Sequence, residues 1–167
     1  IAPLKVITDA CHAHGTVMIQ QLYHVGQHGD FDNSYSAAWS PSGLPSYHDS
    51  DGSHQMTVAE IGEIITGFVA AARRARQAGF DGIELFGAYN GLIEQFWLPW
   101  SNQRTDQWGG TLDNRMRFCA EIIRCTRDVV GGDFYLFHAT DAGYLLGVVD
   151  CAGHGVPGAL MTMLGNA

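Results

Sequence analysis

Gln21 closes a short apolar run, Thr16 to Leu22, and brings an amide that both donates and accepts hydrogen bonds to the end of that run. Further along, Asn102, Arg104, Asp106, Gly109 and Gly110 form an N-x-R-x-D-x-x-G-G pattern, continued by Asn114, Arg115 and Arg117. That pattern reads mainly as structural. Its glycines permit an unusual turn, and Arg104 can brace the loop as an ion pair with Asp106. His24 and His28 stand four apart in a loop, where helical spacing does not apply, so a metal pair has little support. The four cysteines, Cys11, Cys119, Cys125 and Cys151, form no C-x-x-C pair, and they read as buried free thiols rather than zinc or redox centres. Trp97, Trp100 and Trp108 read as loop packing.

The elements that must position these groups are legible from punctuation. Pro3 to His14 reads as a helix stopped by Gly15, and Thr16 to Leu22 as a buried strand. Thr57 and Glu60 make a capping box for a helix whose apolar face is Ile61, Ile64, Ile65, Phe68, Val69 and Ala72. Gly79 ends it. Asp81 to Phe86 is a second strand, and Thr111 caps a third helix with Leu112, Met116, Phe118, Ile122, Ile123 and Val129 at its apolar positions. Alternation of helix and strand predicts parallel strands with helical crossovers. The links from helix to strand are short, while those from strand to helix run to roughly 35 and 25 residues, beyond the usual loop length. Long loops at the C-terminal ends of strands are what a (β/α) barrel's active face requires, although an open doubly wound sheet places its site at the same ends. After Val130 the pattern changes. Asp133 to His138, a turn at Ala139 to Gly143, and Tyr144 to Val149 predict a β-hairpin, with a glycine-rich turn at Gly153 to Gly158 and a short helix at Ala159 to Leu164.

Composition sets the outer bounds. The 167 residues are 46% hydrophobic and 16% charged, a globular balance with enough chain for a core. A net charge of −8 argues against a nucleic-acid partner. No apolar run nears the roughly 18 residues of a membrane helix, so no membrane partner is expected. The start, IAPLKVITDA, lacks the pattern of a secretory leader. That absence favours the cytoplasm.

The segment Ala78 to Phe118, AGFDGIELFGAYNGLIEQFWLPWSNQRTDQWGGTLDNRMRF, resembles the NADH:flavin oxidoreductase family that includes Old Yellow Enzyme. QLYHVGQ at Gln21 to Gln27, the Ser40-Pro41-Ser42 triplet and Met56-Thr57 fall in the family's order upstream. The resemblance covers about three quarters of the chain and implies a partial TIM (β/α)8 barrel of α/β class, with central βα units over residues 1–130. It implies FMN as cofactor, NAD(P)H as electron donor, and Gln21 as the residue that meets the flavin's polar pyrimidine edge. The family sets a His-x-x-His or His-x-x-Asn pair after the next strand to grip a substrate carbonyl. Phe86 and Tyr89 occupy those positions here, as the candidate catalytic pair. Phe86 cannot hydrogen-bond, and Tyr89 can donate only from its hydroxyl. An enone is one expected substrate class; an N-methyl amine held by aromatic faces is the other, and ordinary packing at a barrel mouth is a third account of the pair. Only two βα units are legible of a barrel that takes roughly 250 residues. The expectation is therefore a fragment that holds FMN weakly and self-associates through open strand edges.

Gly131 to Gly165 resembles a different family, the opening of the PPM-type serine/threonine phosphatases of the sporulation and stress-response branch. The motifs are Gly-Gly-Asp-Phe-Tyr and Asp-x-x-Gly-His-Gly-Val-Pro-Gly-Ala. That resemblance implies a hairpin fragment over 131–167 in which Asp133 and Asp150 ligate Mg²⁺ or Mn²⁺, ions that prefer carboxylate oxygens; a solvated hairpin end is the plainer account of both. A junction is expected near Val130, where the two patterns overlap. Three readings follow: a flavin oxidoreductase fragment, a metal-dependent phosphatase fragment, and a non-catalytic chimeric fusion.

Overall fold

A computed structural model of the chain describes residues 1–29, 35–47, 52–130, 134–140 and 143–149. The predicted turn, glycine-rich stretch and short helix after Val149 lie outside these residues, as does Cys151. In chain order the elements are helix α1 (Ala2–His12), strand β1 (Ile19–Leu22), a 3-10 turn (Gly26–His28), strands β2 (Trp39–Ser40) and β3 (His54–Gln55), and helix α2 (Val58–Gln77). Then come β4 (Gly82–Leu85), α3 (Leu92–Trp97), α4 (Leu112–Val130), β5 (Phe134–Thr140) and β6 (Gly143–Val149). The chain divides into two compact units, and α2 and α4 each contribute to both.

The first unit takes Ile1–Leu22, Phe68–Leu85 and the chain from Ile123 onward. Its centre is the parallel pair β1–β4, in register from Ile19 opposite Gly82 to Leu22 opposite Leu85. This is the strand, helical crossover, parallel strand order that the alternating pattern predicts. Period-two geometry sends Leu22 and Leu85 to one face, where both are buried, and Gln21 and Glu84 to the other. Asp81 fixes the entry to β4, accepting from the Met18 N–H at 2.8 Å and meeting His12 Nε2 at 2.9 Å. Those two contacts hold the Asp81 carboxyl below its usual range, the Met18 bond most strongly. Gly79 stops α2 at a φ of 86°, a left-handed value that favours glycine. The Thr8 hydroxyl of α1 donates to the Ala78 carbonyl at 2.6 Å beside it. β5 and β6 pair antiparallel as the predicted hairpin, but the ladder runs on through Ala139, Thr140 and Gly143, residues the sequence assigns to the turn.

The second unit takes Tyr23–Gly67 and Phe86–Ile122. Its core includes Met56, Ile61, Leu92, Phe96, Phe118 and Ile122, with the Phe96 and Phe118 rings stacked at 4.2 Å. The capping box of α2 forms as the sequence predicts. The Glu60 N–H donates to Thr57 Oγ1 at 3.2 Å, and the Thr57 N–H donates back to Glu60 Oε2 at 2.7 Å. The Asn114 N–H donates to Thr111 Oγ1 at 3.4 Å, so Thr111 caps α4 with a longer bond. Three features depart from the sequence reading. The loop after β4 contains helix α3. The loop after β1 contains a 3-10 turn and the two-residue parallel ladder β2–β3. Leu112, expected in the apolar face of α4, is 39% exposed because it sits in the first helical turn, while Cys119 and Thr126 are buried.

Candidate active site

The first unit supplies one candidate group. The parallel register sets Gln21 beside Glu84, and Gln21 Nε2 donates to Glu84 Oε2 at 3.0 Å. That bond fixes which end of the amide points where. Gln21 is exposed and Glu84 is half-buried, so an oriented polar pair lies open at the C-terminal ends of two parallel strands.

The second unit supplies the other. Phe86 and Tyr89 are brought together with their rings stacked, centroids 5.8 Å apart and planes 16° from parallel. Tyr23 joins them, its ring meeting Phe86 edge-on at 5.4 Å and 73°. Tyr89 is 80% exposed and Tyr23 44% exposed, so two of the three rings are open to a ligand. Tyr89 and Asn90 both adopt a φ of 53°, a left-handed conformation uncommon for residues with side chains. Backbone held this way costs energy that surrounding contacts must offset. Gln95 supplies those contacts. It is fully buried, donates to the carbonyls of Asn90 and Val25, and accepts from the Gln27 N–H at 3.1 Å. Glu94 adds another by accepting from the Asn90 N–H. Burial raises the Tyr23 phenol above its ordinary range, with Tyr47 and the Glu94 carboxylate adding to the effect.

The Asn102–Gly110 loop is built as a brace. Asn102 Nδ2 donates to the carbonyls of Phe96 and Trp108, each at 2.8 Å. Arg104, only 8% exposed, pairs with Asp106 at 2.5 Å and donates to the carbonyls of Pro41 and Met56. This guanidinium, with help from the Trp108 N–H, holds the Asp106 carboxyl below its usual range. A side chain at Gly109 would overlap the Arg104 backbone, which accounts for the first glycine of the signature. Arg115 Nε donates to the Trp97 carbonyl at 2.6 Å, and Asn114 Nδ2 donates to the Gly109 carbonyl at 3.0 Å. Trp108 is buried in this loop, while Trp100 is 52% exposed.

Other expected groups fall elsewhere. His24 Nδ1 accepts from the Gly26 N–H at 3.0 Å, and burial lowers its basicity, so it acts as a neutral turn acceptor. Among the described residues no three His, Cys, Asp or Glu side chains gather to hold a metal. Asp133 and Asp150 lie outside the described residues. Among the three described cysteines, Cys119 is fully buried, which pushes its thiol up to about 12, while Cys11 and Cys125 are half-buried. No helix among the described residues is long and apolar enough to cross a membrane. Tyr23, Glu94 and Gln95 are not legible as site residues from the sequence. The signal for Tyr23 is its place two residues after Gln21; Glu94 and Gln95 lie in the stretch the sequence predicts as loop.

The sequence signature of the NADH:flavin oxidoreductase / NADH oxidase family matches residues 1–146. The chain belongs to this family. The match extends past Val130 through β5 and into β6, so the flavin family's signature runs across the junction expected near Val130. The chain is 39% identical over 129 residues to the N,N-dimethylglycine/sarcosine dehydrogenase of Chromohalobacter salexigens, covering 77% of this chain and 19% of that protein. It is 38% identical over 133 residues to the NADPH dehydrogenase of a Geobacillus species, covering 80% of this chain and 38% of that protein. Morphinone reductase superposes with a TM-score of 0.73 at 29% identity, over 77% of this chain and 39% of that one. The chain thus spans a fifth to two fifths of these relatives, and its fold is part of a TIM (β/α) barrel. Membership implies FMN and a nicotinamide donor. Gln21 fits the first: its exposed, oriented amide is the kind of partner a flavin's pyrimidine edge requires.

Proposed function

We propose that this chain is the flavin- and substrate-contacting segment of an FMN-dependent oxidoreductase whose substrate is a small N-alkyl amine. The observation that supports it is the ring group of Tyr23, Phe86 and Tyr89, in which Phe86 and Tyr89 occupy the sequence positions where the family resemblance expects a carbonyl-gripping pair. Bound FMN supplies hydride chemistry. Gln21 holds the cofactor's pyrimidine edge, with its own orientation kept by Glu84. Phe86 lacks any group to polarise a carbonyl, and its ring with that of Tyr89 offers apolar, electron-rich faces that suit methylated nitrogen. NAD(P)H is the partner nucleotide that family membership suggests, and the three free cysteines among the described residues suit a reducing compartment such as the cytoplasm.

Anaerobic mixing of the FMN-loaded protein with N,N-dimethylglycine and with cyclohexenone plus NADPH tests the substrate class. Bleaching of the flavin's visible absorption by the amine is the expected result. Reoxidation of the NADPH-reduced flavin by the enone, with no amine reaction, would overturn the amine reading and keep the oxidoreductase.

A further inference from the structure

We propose that Glu94 is the charge-selecting residue of the substrate subsite, placing a carboxylate beside the Tyr23–Phe86–Tyr89 rings to receive the ammonium of a protonated amine. The inference rests on the amine reading above and adds to it the residue that would set charge preference. Glu94 lies in the first turn of α3 and is half-buried. Its Oε2 accepts from the Asn90 N–H, which ties the carboxylate to the backbone one residue from the Tyr89 ring. The same charge acts at the Tyr23 hydroxyl, after burial and Tyr47, and the Tyr23 ring lies against Gly91, the residue before α3. One unit therefore holds three contacting rings and, tied to the backbone next to Tyr89, one carboxylate.

Two further facts favour a ligand over a purely structural acid. No Lys, Arg or His pairs with Glu94 among the described residues, and Oε1 takes no hydrogen bond there. The left-handed backbone at Tyr89 and Asn90 holds an 80% exposed ring in this place, when the same strand end could relax if exposure had no use. An ammonium over an aromatic face gains from the ring quadrupole, and it gains more where a carboxylate lies alongside. Neutral carbonyl compounds draw nothing from such a carboxylate and lose by desolvating it.

The test uses the chain itself, without flavin. Trimethylammonium is titrated into wild type and Glu94→Gln, following aromatic NMR resonances of Tyr23 and Tyr89, with tert-butanol as the uncharged analogue of similar shape. Glutamine keeps an oxygen to accept from the Asn90 N–H, so the local fold survives, and a cooperative melt checks this. The expected result is saturable shifts with trimethylammonium, none with tert-butanol, and about tenfold weaker binding in Glu94→Gln. Equal binding by the two proteins, or equal response to the two ligands, would overturn the proposal. The amine assay separates it from the reading beneath. If charge-dependent binding is present but amines leave the flavin oxidised, the subsite stands and the reaction does not. If amines bleach both proteins alike, the reaction stands and the subsite does not.

Discussion

At the scale of single residues, buried polar groups hold the chemistry-bearing loops of the second unit. Arg104 satisfies two backbone carbonyls and a carboxylate at once. Arg104→Ala strands the Pro41 and Met56 carbonyls, and about 3 kcal/mol should be lost in urea unfolding. Acid sensitivity follows from depressed pKa values, those of His24 and Asp106 among them. Burial lowers His24, so its contribution is present above the unfolded imidazole value of about 6.5 and is lost as pH falls through the lower folded value. Arg104 lowers Asp106, so its contribution is present above about 4 and is lost as pH falls further. The urea midpoint should fall in two steps on acidification. His24→Asn, which keeps an acceptor for the Gly26 N–H, should flatten the upper step alone; a single step near pH 4 in wild type would show that His24 is not held neutral. The roles of Arg104 and Asp106 were legible in the N-x-R-x-D signature, because an ion pair two residues apart needs no distant partner. The role of Gln95 was not, because its partners Val25, Gln27 and Asn90 meet it only after folding.

At the scale of elements, local punctuation did the placing. Thr57 and Glu60 mark the start of α2, and Gly79 its stop, because both signals act within a few residues. Thr57→Ala should cost about 1 kcal/mol in thermal unfolding, since it removes the hydroxyl that accepts from Glu60 N–H. Gly26 marks a harder constraint. Its φ is 64°, and an added Cβ would overlap the Gln95 amide, which is fixed by three other bonds. Gly26→Ala should cost about 2 kcal/mol or more and disturb the Tyr89–Asn90 turn, visible as altered Tyr89 resonances. The ladder β2–β3 escaped the sequence because two-residue strands have no period to detect. Helix α3 escaped for a related reason: six residues, LIEQFW, give fewer than two turns, and Leu92, Ile93, Gln95 and Phe96 are all buried, which leaves no amphipathic stripe.

At the scale of the whole chain, the parallel pair β1–β4 joined by a helical crossover was the strongest prediction of the alternating pattern, and barrel membership rests on it together with the family match. Each edge of a two-stranded pair offers backbone groups to a partner, and Val17, just before β1, and Ile19, its first residue, are 70% and 53% exposed. Self-association is the expected behaviour of the isolated chain; light scattering that reports a monomer at high micromolar concentration would contradict it.

FMN titration, read by quenching of flavin fluorescence, bears most directly on the chain's role, and it requires only wild type and Gln21→Leu. Saturable quenching by wild type, weakened tenfold or more in Gln21→Leu, is the predicted result. No quenching, or equal quenching by both proteins, would remove Gln21 from the flavin and the oxidoreductase role from this segment.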